Sequence, residues 1–318
     1  MSFVLLQEII DVMGNPTVVG LDPDLGHIPP EILEKHIAES GETLAAATQA
    51  ILEFNKGLID VLCDIVPAIK PQSAYYEMLG SYGVFALQTT CEYAKSKGMY
   101  VILDGKRNDI GSTAAAYSAA YLGGINVGNA MIKPFDVDAL TVNAYLGSDG
   151  LKPFIETAIE CDKAIFALVR TSNPSAGELQ DLLVVDDEGG NACAGAIDGS
   201  SSCKVFVKVG ELLEAISKET IDSNGYTRVG AVVGATYPEE MQFLRKHLKN
   251  TFFLVPGYGA QGGSAEDVAF AFDENKRGAI VNSSRGIIAA WKKSGSDYAT
   301  AAREEAINMR DELRKVLS

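Results

Sequence analysis

The sequence predicts an α/β fold, a closed (β/α)8 barrel, on three observations. Eight short apolar runs alternate with longer helical patterns, the runs are apolar at nearly every position, and polar residues gather where they end. The runs cover 17–21, 65–70, 100–104, 139–142, 164–169, 229–234, 252–257 and 279–283. Short runs without polar alternation imply strands buried on both faces, as in a parallel sheet covered by helices. An open doubly wound sheet also accommodates such strands. Asp22, Lys70, Asp104, Thr171, Gln261 and Arg285 all lie at or just past strand ends, and a barrel brings those ends to one mouth. The stretch "GLDPDLG" after the first run lacks a dinucleotide-binding glycine pattern, which weakens the open-sheet reading.

The elements follow in order. The opening "MSFVLLQEII" has no basic start and soon turns acidic, so it is not expected to be a secretory leader. Residues 43–65 repeat apolar positions at spacings of three and four and predict an amphipathic helix. A second helix, "GVFALQTTCEYAKSKG", stops at Gly98. The run "YVIL" passes directly into "DGKRNDIGSTAAAY", whose second half starts another helix. After the fifth strand, residues 172–205 are rich in Gly, Ser and Asp and too long for an ordinary connection. Within them 186–203 reads as an insertion, followed by a helix from near Phe206. The tail 297–317 is a further amphipathic helix, and the whole chain, 1–318, is expected to form one domain.

Composition narrows the function. The 318 residues are 47% hydrophobic and carry a formal net charge of −15. No basic stripe offsets that charge, which argues against a nucleic-acid partner. An anionic ligand must therefore meet positive charge concentrated locally. No apolar stretch reaches the roughly 18 residues of a membrane span, so no membrane partner is expected. Cysteines 63, 91, 161, 193 and 203 lack metal-ligand spacing and read as free thiols in a reducing cytoplasm, with a Cys193–Cys203 disulfide as the alternative. Histidines 27, 36 and 247 are scattered.

The charges after the third run are the strongest functional signal. Asp104, Lys106 and Asp109 follow buried-looking residues, and buried charge is costly unless paired. If the strand persists, Asp104 and Lys106 face one side. Asp109 and Thr113, four apart, share a face if the following helix starts there. The group is either a structural ion-pair knot or a site. An ammonium flanked by two carboxylates keeps its proton, which suits a general acid.

Asp104-Gly-Lys106-Arg-Asn-Asp109-Ile110 matches D-x-K-x-x-D-I and resembles the signature of the orotidine 5′-phosphate decarboxylase family. Companions occur in the family's order: "GLDPD" with Asp22, "IKPQSAYYE" with Lys70, "RTSNPSA" with Ser172, "PGYGAQGG" with Gln261, and "NSSRGI" with Arg285. The resemblance runs from residue 20 to 287 and is similar in wording to the longer bacterial-type branch. It implies loss of CO₂ from C6 of orotidine 5′-phosphate to give UMP, with no metal or organic cofactor. Lys106 would donate the proton to C6, with Asp104, Asp109 and Lys70 completing the charged array. Asp22 would bind ribose and Ser172 the base, while Gln261, the backbone at Gly262 and Arg285 would bind phosphate. It also implies a homodimer in which Asp109, Ile110 and Thr113 reach the neighbouring site. Two other readings stay open: a Mg²⁺-dependent sugar-phosphate decarboxylase of the same superfamily, and a barrel that binds a nucleotide without catalysis. The first places a metal-binding glutamate where this chain has Lys70.

Overall fold

The computed structural model describes residues 2–185, 202–259 and 261–318. Eight parallel strands close into a barrel: β1 (Thr17–Leu21), β2 (Ala68–Pro71), β3 (Tyr100–Arg107), β4 (Ala139–Val142), β5 (Ala164–Arg170), β6 (Val229–Val233), β7 (Phe253–Val255) and β8 (Ala279–Ser283). Each pairs with its neighbours in sequence, and β8 closes on β1 through Thr17↔Val281, Val18↔Asn282 and Val19↔Ser283. The apolar runs are continuous because both faces are buried. Val19, Leu21, Val101, Leu103, Ile165 and Val281 face the surrounding helices, whereas Val18, Ile102, Phe166, Val232, Leu254 and Ile280 fill the interior.

The helix Leu44–Leu62 shows how the outer layer is specified. Thr43 caps it by accepting the Ala46 N–H, and Ile51, Phe54, Leu58 and Leu62 return at three and four to bury one stripe. The helix Ser2–Met13 has a different task. Its Phe3, Leu6 and Ile10 join the interior cluster, with the Phe3 ring 4.9 Å from Phe166 and 5.0 Å from Phe252. This apolar plug closes the end where the strands begin. The end where they finish forms the open mouth.

Several boundaries differ from expectation. β2 starts at Ala68 rather than residue 65, because Ile65 and Val66 still bond back to Leu62 and Pro67 has no N–H to offer a ladder. β3 continues past 104 to Arg107 with a register shift: Leu103 pairs with Leu140, but the next pair is Arg107↔Val142. The second expected helix spans Gly80–Ser96, three residues earlier at its start. Two antiparallel ribbons went unforeseen, Ile125–Val127 with Ala130–Ile132 and Leu183–Val185 with Ser202–Lys204. Their three-residue strands are too short to show a period, and the first is exposed throughout.

Of the expected insertion at 186–203, residues 186–201 lie outside the described residues. Cys63, Cys91 and Cys161 are free thiols. Cys203 is not: it is disulfide-bonded, correcting the free-thiol expectation. It is fully buried on the ribbon strand that closes the base of this loop, paired opposite Val184. Cys193, the other half of the alternative pairing, lies outside the described residues. Among the described residues no helix is long and apolar enough to cross a membrane.

Candidate active site

The barrel interior becomes polar one layer below its mouth. On β2, Lys70 follows Ala68 at the next inward position, and on β3 Asp104 follows Tyr100 and Ile102. Both are buried, with relative exposures of 5% and 8%. Lys70 Nζ donates to Asp104 Oδ2 at 2.8 Å, and Lys106 Nζ donates to Asp104 Oδ1 at 2.6 Å. Thr141 on β4 adds a third bond, its Oγ1 donating to Asp104 Oδ1 at 2.9 Å. One carboxylate thus anchors two ammonium groups and a hydroxyl.

Lys106 reaches that carboxylate by a route the sequence did not reveal. Simple strand alternation was expected to bring Asp104 and Lys106 to one side. Instead the five residues of β3 from Leu103 to Arg107 lie opposite only three of β4, Leu140 to Val142. Lys106 takes φ 45°, a left-handed conformation uncommon for a side chain of its size. Its N–H is held there by Thr141 Oγ1 at 2.9 Å. The bulge carries the Lys106 stem over Asp104 and leaves the side chain about half exposed at the mouth, at 47%.

The electrostatics follow from this geometry. Burial alone would raise the Asp104 carboxyl, but the Lys70 and Lys106 charges and their hydrogen bonds hold it well below the usual carboxylate range. Burial would likewise lower Lys70; the Asp104 and Asp22 carboxylates outweigh it and keep the ammonium above its ordinary value. The interior of the mouth is therefore a locked ionic array rather than a set of neutralised groups. Asp22, just past β1, contributes to that field and keeps one buried oxygen, Oδ1, without a hydrogen-bond partner among the described residues.

These groups line a cavity of about 510 Å³. Its walls differ around the barrel. Asp22, Lys70, Asp104, Thr141 and Asn282 come from β1 to β4 and β8, whereas β5, β6 and β7 present Leu168, Val232 and Leu254. Over the apolar side lie the loops after β5 and β7, carrying Ser172 and Gln261. Two glycines permit their close approach. A Cβ on Gly234 would meet the Ser172 backbone at 2.9 Å, and Gly257, at φ 101°, sits between Ser172 and Gln261.

Seven of the residues singled out from sequence therefore come together at the cavity: Asp22, Lys70, Asp104, Lys106, Thr171, Ser172 and Gln261. Asp109, Ile110, Thr113, Gly262 and Arg285 do not line it. Asp109 turns its Oδ1 onto the Ile110 N–H at 2.8 Å, while Ile110 and Thr113 stand exposed at the start of helix Gly111–Tyr121. Arg285 is exposed at the start of the turn Arg285–Ile288. Sequence reasoning overlooked Thr141, Gln180 and Asn282. The signal for Thr141 was a single polar residue in an otherwise apolar strand, and for Asn282 a polar residue at the inward position near the end of β8; for Gln180, in a one-turn helix, there was none. Among the described residues no three His, Cys, Asp or Glu side chains gather as a metal site.

Comparison with known proteins gives a consistent picture. The family model described as orotidine 5′-phosphate decarboxylase / HUMPS matches residues 47–296. The orotidine 5′-phosphate decarboxylase of Rhodopirellula baltica is 42% identical over 308 residues, covering 95% of both chains. That of Caldicellulosiruptor bescii is 37% identical over 314 residues, covering 98% of both. Among solved structures, Leishmania donovani OMP decarboxylase superposes with a TM-score of 0.72 at 29% identity, covering 100% of this chain and 99% of that one.

Proposed function

The chain belongs to the orotidine 5′-phosphate decarboxylase / HUMPS family, and on that premise we propose that it converts orotidine 5′-phosphate to UMP, with Lys106 delivering the proton to C6. It is a carboxy-lyase of pyrimidine biosynthesis, a reaction we place in the cytoplasm. The observation that supports this reading best is the ammonium of Lys106 bonded at 2.6 Å to a buried carboxylate at the cavity mouth. As the bond from C6 to the carboxyl breaks, its electron pair stays on C6 and CO₂ departs. A fixed ammonium stabilises that developing charge without reorganising. A Lys106 N–H bond then breaks as the C6–H bond forms, and solvent reprotonates the amine.

Each neighbour has a task. Asp104 orients Lys106, and Lys70 balances the second oxygen of the same carboxylate. Asp22 takes ribose hydroxyls with its unpartnered oxygen, and Ser172 contacts the base. Gln261, the N–H of Gly262 and Arg285 bind phosphate, Arg285 by swinging over the mouth as the loop after β7 closes. Arginine suits this because its planar fork donates two parallel hydrogen bonds to a phosphate. Binding at the phosphate is thereby used to stabilise the transition state at C6.

The exposed position of Ile110 and Thr113 supports a homodimer in which they and Asp109 complete the neighbour's site. Ile110 is 56% exposed. Mixing Lys106→Ala with Asp109→Ala is expected to restore part of the activity through hybrid dimers; no recovery despite verified subunit exchange would assign each site to one chain. The reaction itself is tested by following orotidine 5′-phosphate absorbance with purified protein, with and without EDTA. Stoichiometric UMP and CO₂ with EDTA-insensitive rates are expected. No turnover, or turnover that requires Mg²⁺, would contradict the reading.

A further inference from the structure

The loop after β5 is tied into a ring by one side chain that the mechanism does not use. Gln180 ends the turn Gly177–Gln180, nine residues beyond Thr171. Its Oε1 accepts the Thr171 N–H at 3.0 Å, and its Nε2 donates to Thr171 Oγ1 at 2.8 Å. Thr171 Oγ1 passes its own hydrogen to Asn173 Oδ1 at 2.7 Å. Ser172 lies between these two bonded residues. A carboxamide suits this position because it offers an acceptor and a donor side by side, matching the donor and acceptor that one threonine presents.

The ring is in turn fastened to the barrel. Arg170, the last residue of β5 and only 1% exposed, donates from Nη1 to Gln180 Oε1 at 3.4 Å. Its guanidinium is fixed by Glu240, by Asp181 at 3.3 Å and by the Tyr237 ring at 3.8 Å. Lys204 bridges Glu240 and Asp181 from the base of the 183–204 ribbon. A buried, charge-paired arginine is a rigid anchor, since freeing it would strand a charge. The chain from Arg170 through Gln180 to Thr171 thus runs from the barrel wall to the cavity, where Thr171, Ser172, Asn173 and Gln180 all form the lining.

We propose that Gln180 is a positioning residue that presets the Thr171–Asn173 segment for the base of the nucleotide before it arrives. This rests on the reading that Ser172 contacts the pyrimidine. Preorganisation of this kind lowers the ordering cost of binding, and it acts only on the part of the ligand the segment touches. Phosphate and ribose contacts come from other elements, after β1, β7 and β8.

The test compares two ligands that differ by the base, UMP and D-ribose 5-phosphate, by titration calorimetry on the full chain. Gln180→Leu and Thr171→Val each remove one side of the pairing. Each is expected to weaken UMP about tenfold, as loss of one or two hydrogen bonds implies, and to leave ribose 5-phosphate within about twofold. The double variant should weaken UMP little more than either alone, because both break the same link. Thr171→Ser, which keeps the hydroxyl, should recover most of what Thr171→Val loses. Equal weakening of both ligands, additive losses, or undiminished UMP binding in both single variants would overturn the proposal. Failure of wild type to bind UMP would instead overturn the nucleotide reading itself, and the positioning role with it.

Discussion

The two sides of the barrel mouth are built to opposite rules. From β8 round to β4 the inward positions carry Asn282, Asp22, Lys70, Asp104 and Thr141; from β5 to β7 they carry Leu168, Val232 and Leu254. Both sides are built on parallel strands, so the difference lies mainly in side chains, with the β3 bulge adding Lys106 to the polar side. The apolar side offers no polar groups and lowers the local dielectric, which makes the charges opposite act more strongly. The polar side supplies those charges with partners already in place. Neither half would be enough alone: charges in water are screened, and a dry pocket without charge does not stabilise a carbanion.

Substitutions on each side should break this contrast unequally. The largest effect is expected at Asp104. Asp104→Asn removes the one carboxylate shared by Lys70 and Lys106. It should cost about 3 kcal/mol in urea unfolding, in the range for uncoupling a buried pair, and turnover should fall by roughly a thousandfold or more. Next comes a matched pair of nearly isosteric changes. Thr141→Val deprives Asp104 and the Lys106 N–H of a partner, and should cost about 2 kcal/mol with a roughly tenfold to hundredfold slower rate. Val232→Thr puts a hydroxyl on the apolar wall and should cost about 1 kcal/mol or less, because it faces the cavity rather than packed core, with activity within about fivefold of wild type. Similar losses for the two would mean that the sides are not distinct.

The smallest expected effect is that of pH on stability. Asp104 is held below its ordinary value, so its contribution is complete above about pH 4 and is lost as pH falls through the lower folded value. Lys70 is held above its ordinary value, so its contribution is complete below about pH 10 and is lost only as pH rises through the folded value. The stability gap between wild type and Asp104→Asn should therefore stay constant between about pH 6 and 9, and narrow below about pH 4. A gap that changes across the neutral range would show that another titrating group controls the array.

The same contrast explains what could be read in advance. Charges at strand ends stand out against apolar runs, so Asp22, Lys70 and Asp104 were visible as a group before any geometry. Closure of the sheet was visible because polar residues also follow the fifth, seventh and eighth runs, at Thr171, Gln261 and Arg285, and a barrel brings all those ends to one mouth. The route taken by Lys106 was hidden, because a two-residue register excess and a left-handed backbone leave no mark in "LDGKRND". Thr141 showed only as one polar position in an apolar strand, and Gln180 was hidden, because an isolated polar residue acquires meaning only from the atoms opposite it. Asp109, Ile110 and Thr113 stood out in the motif yet lie outside the cavity of their own chain. A motif records the order of residues along the chain, not the surface that each of them faces. Cys203 was misread since thiol spacing says nothing about a ribbon that draws two loop ends together.

The central claim is that the Lys106 ammonium is the group that turns a nucleotide-binding cavity into a decarboxylase. Turnover of orotidine 5′-phosphate by Lys106→Ala, measured beside its affinity for UMP, tests it most directly. A rate at least about a thousandfold below wild type is expected, with UMP affinity retained within about tenfold. A variant that binds UMP and still decarboxylates at near wild-type rate would contradict it.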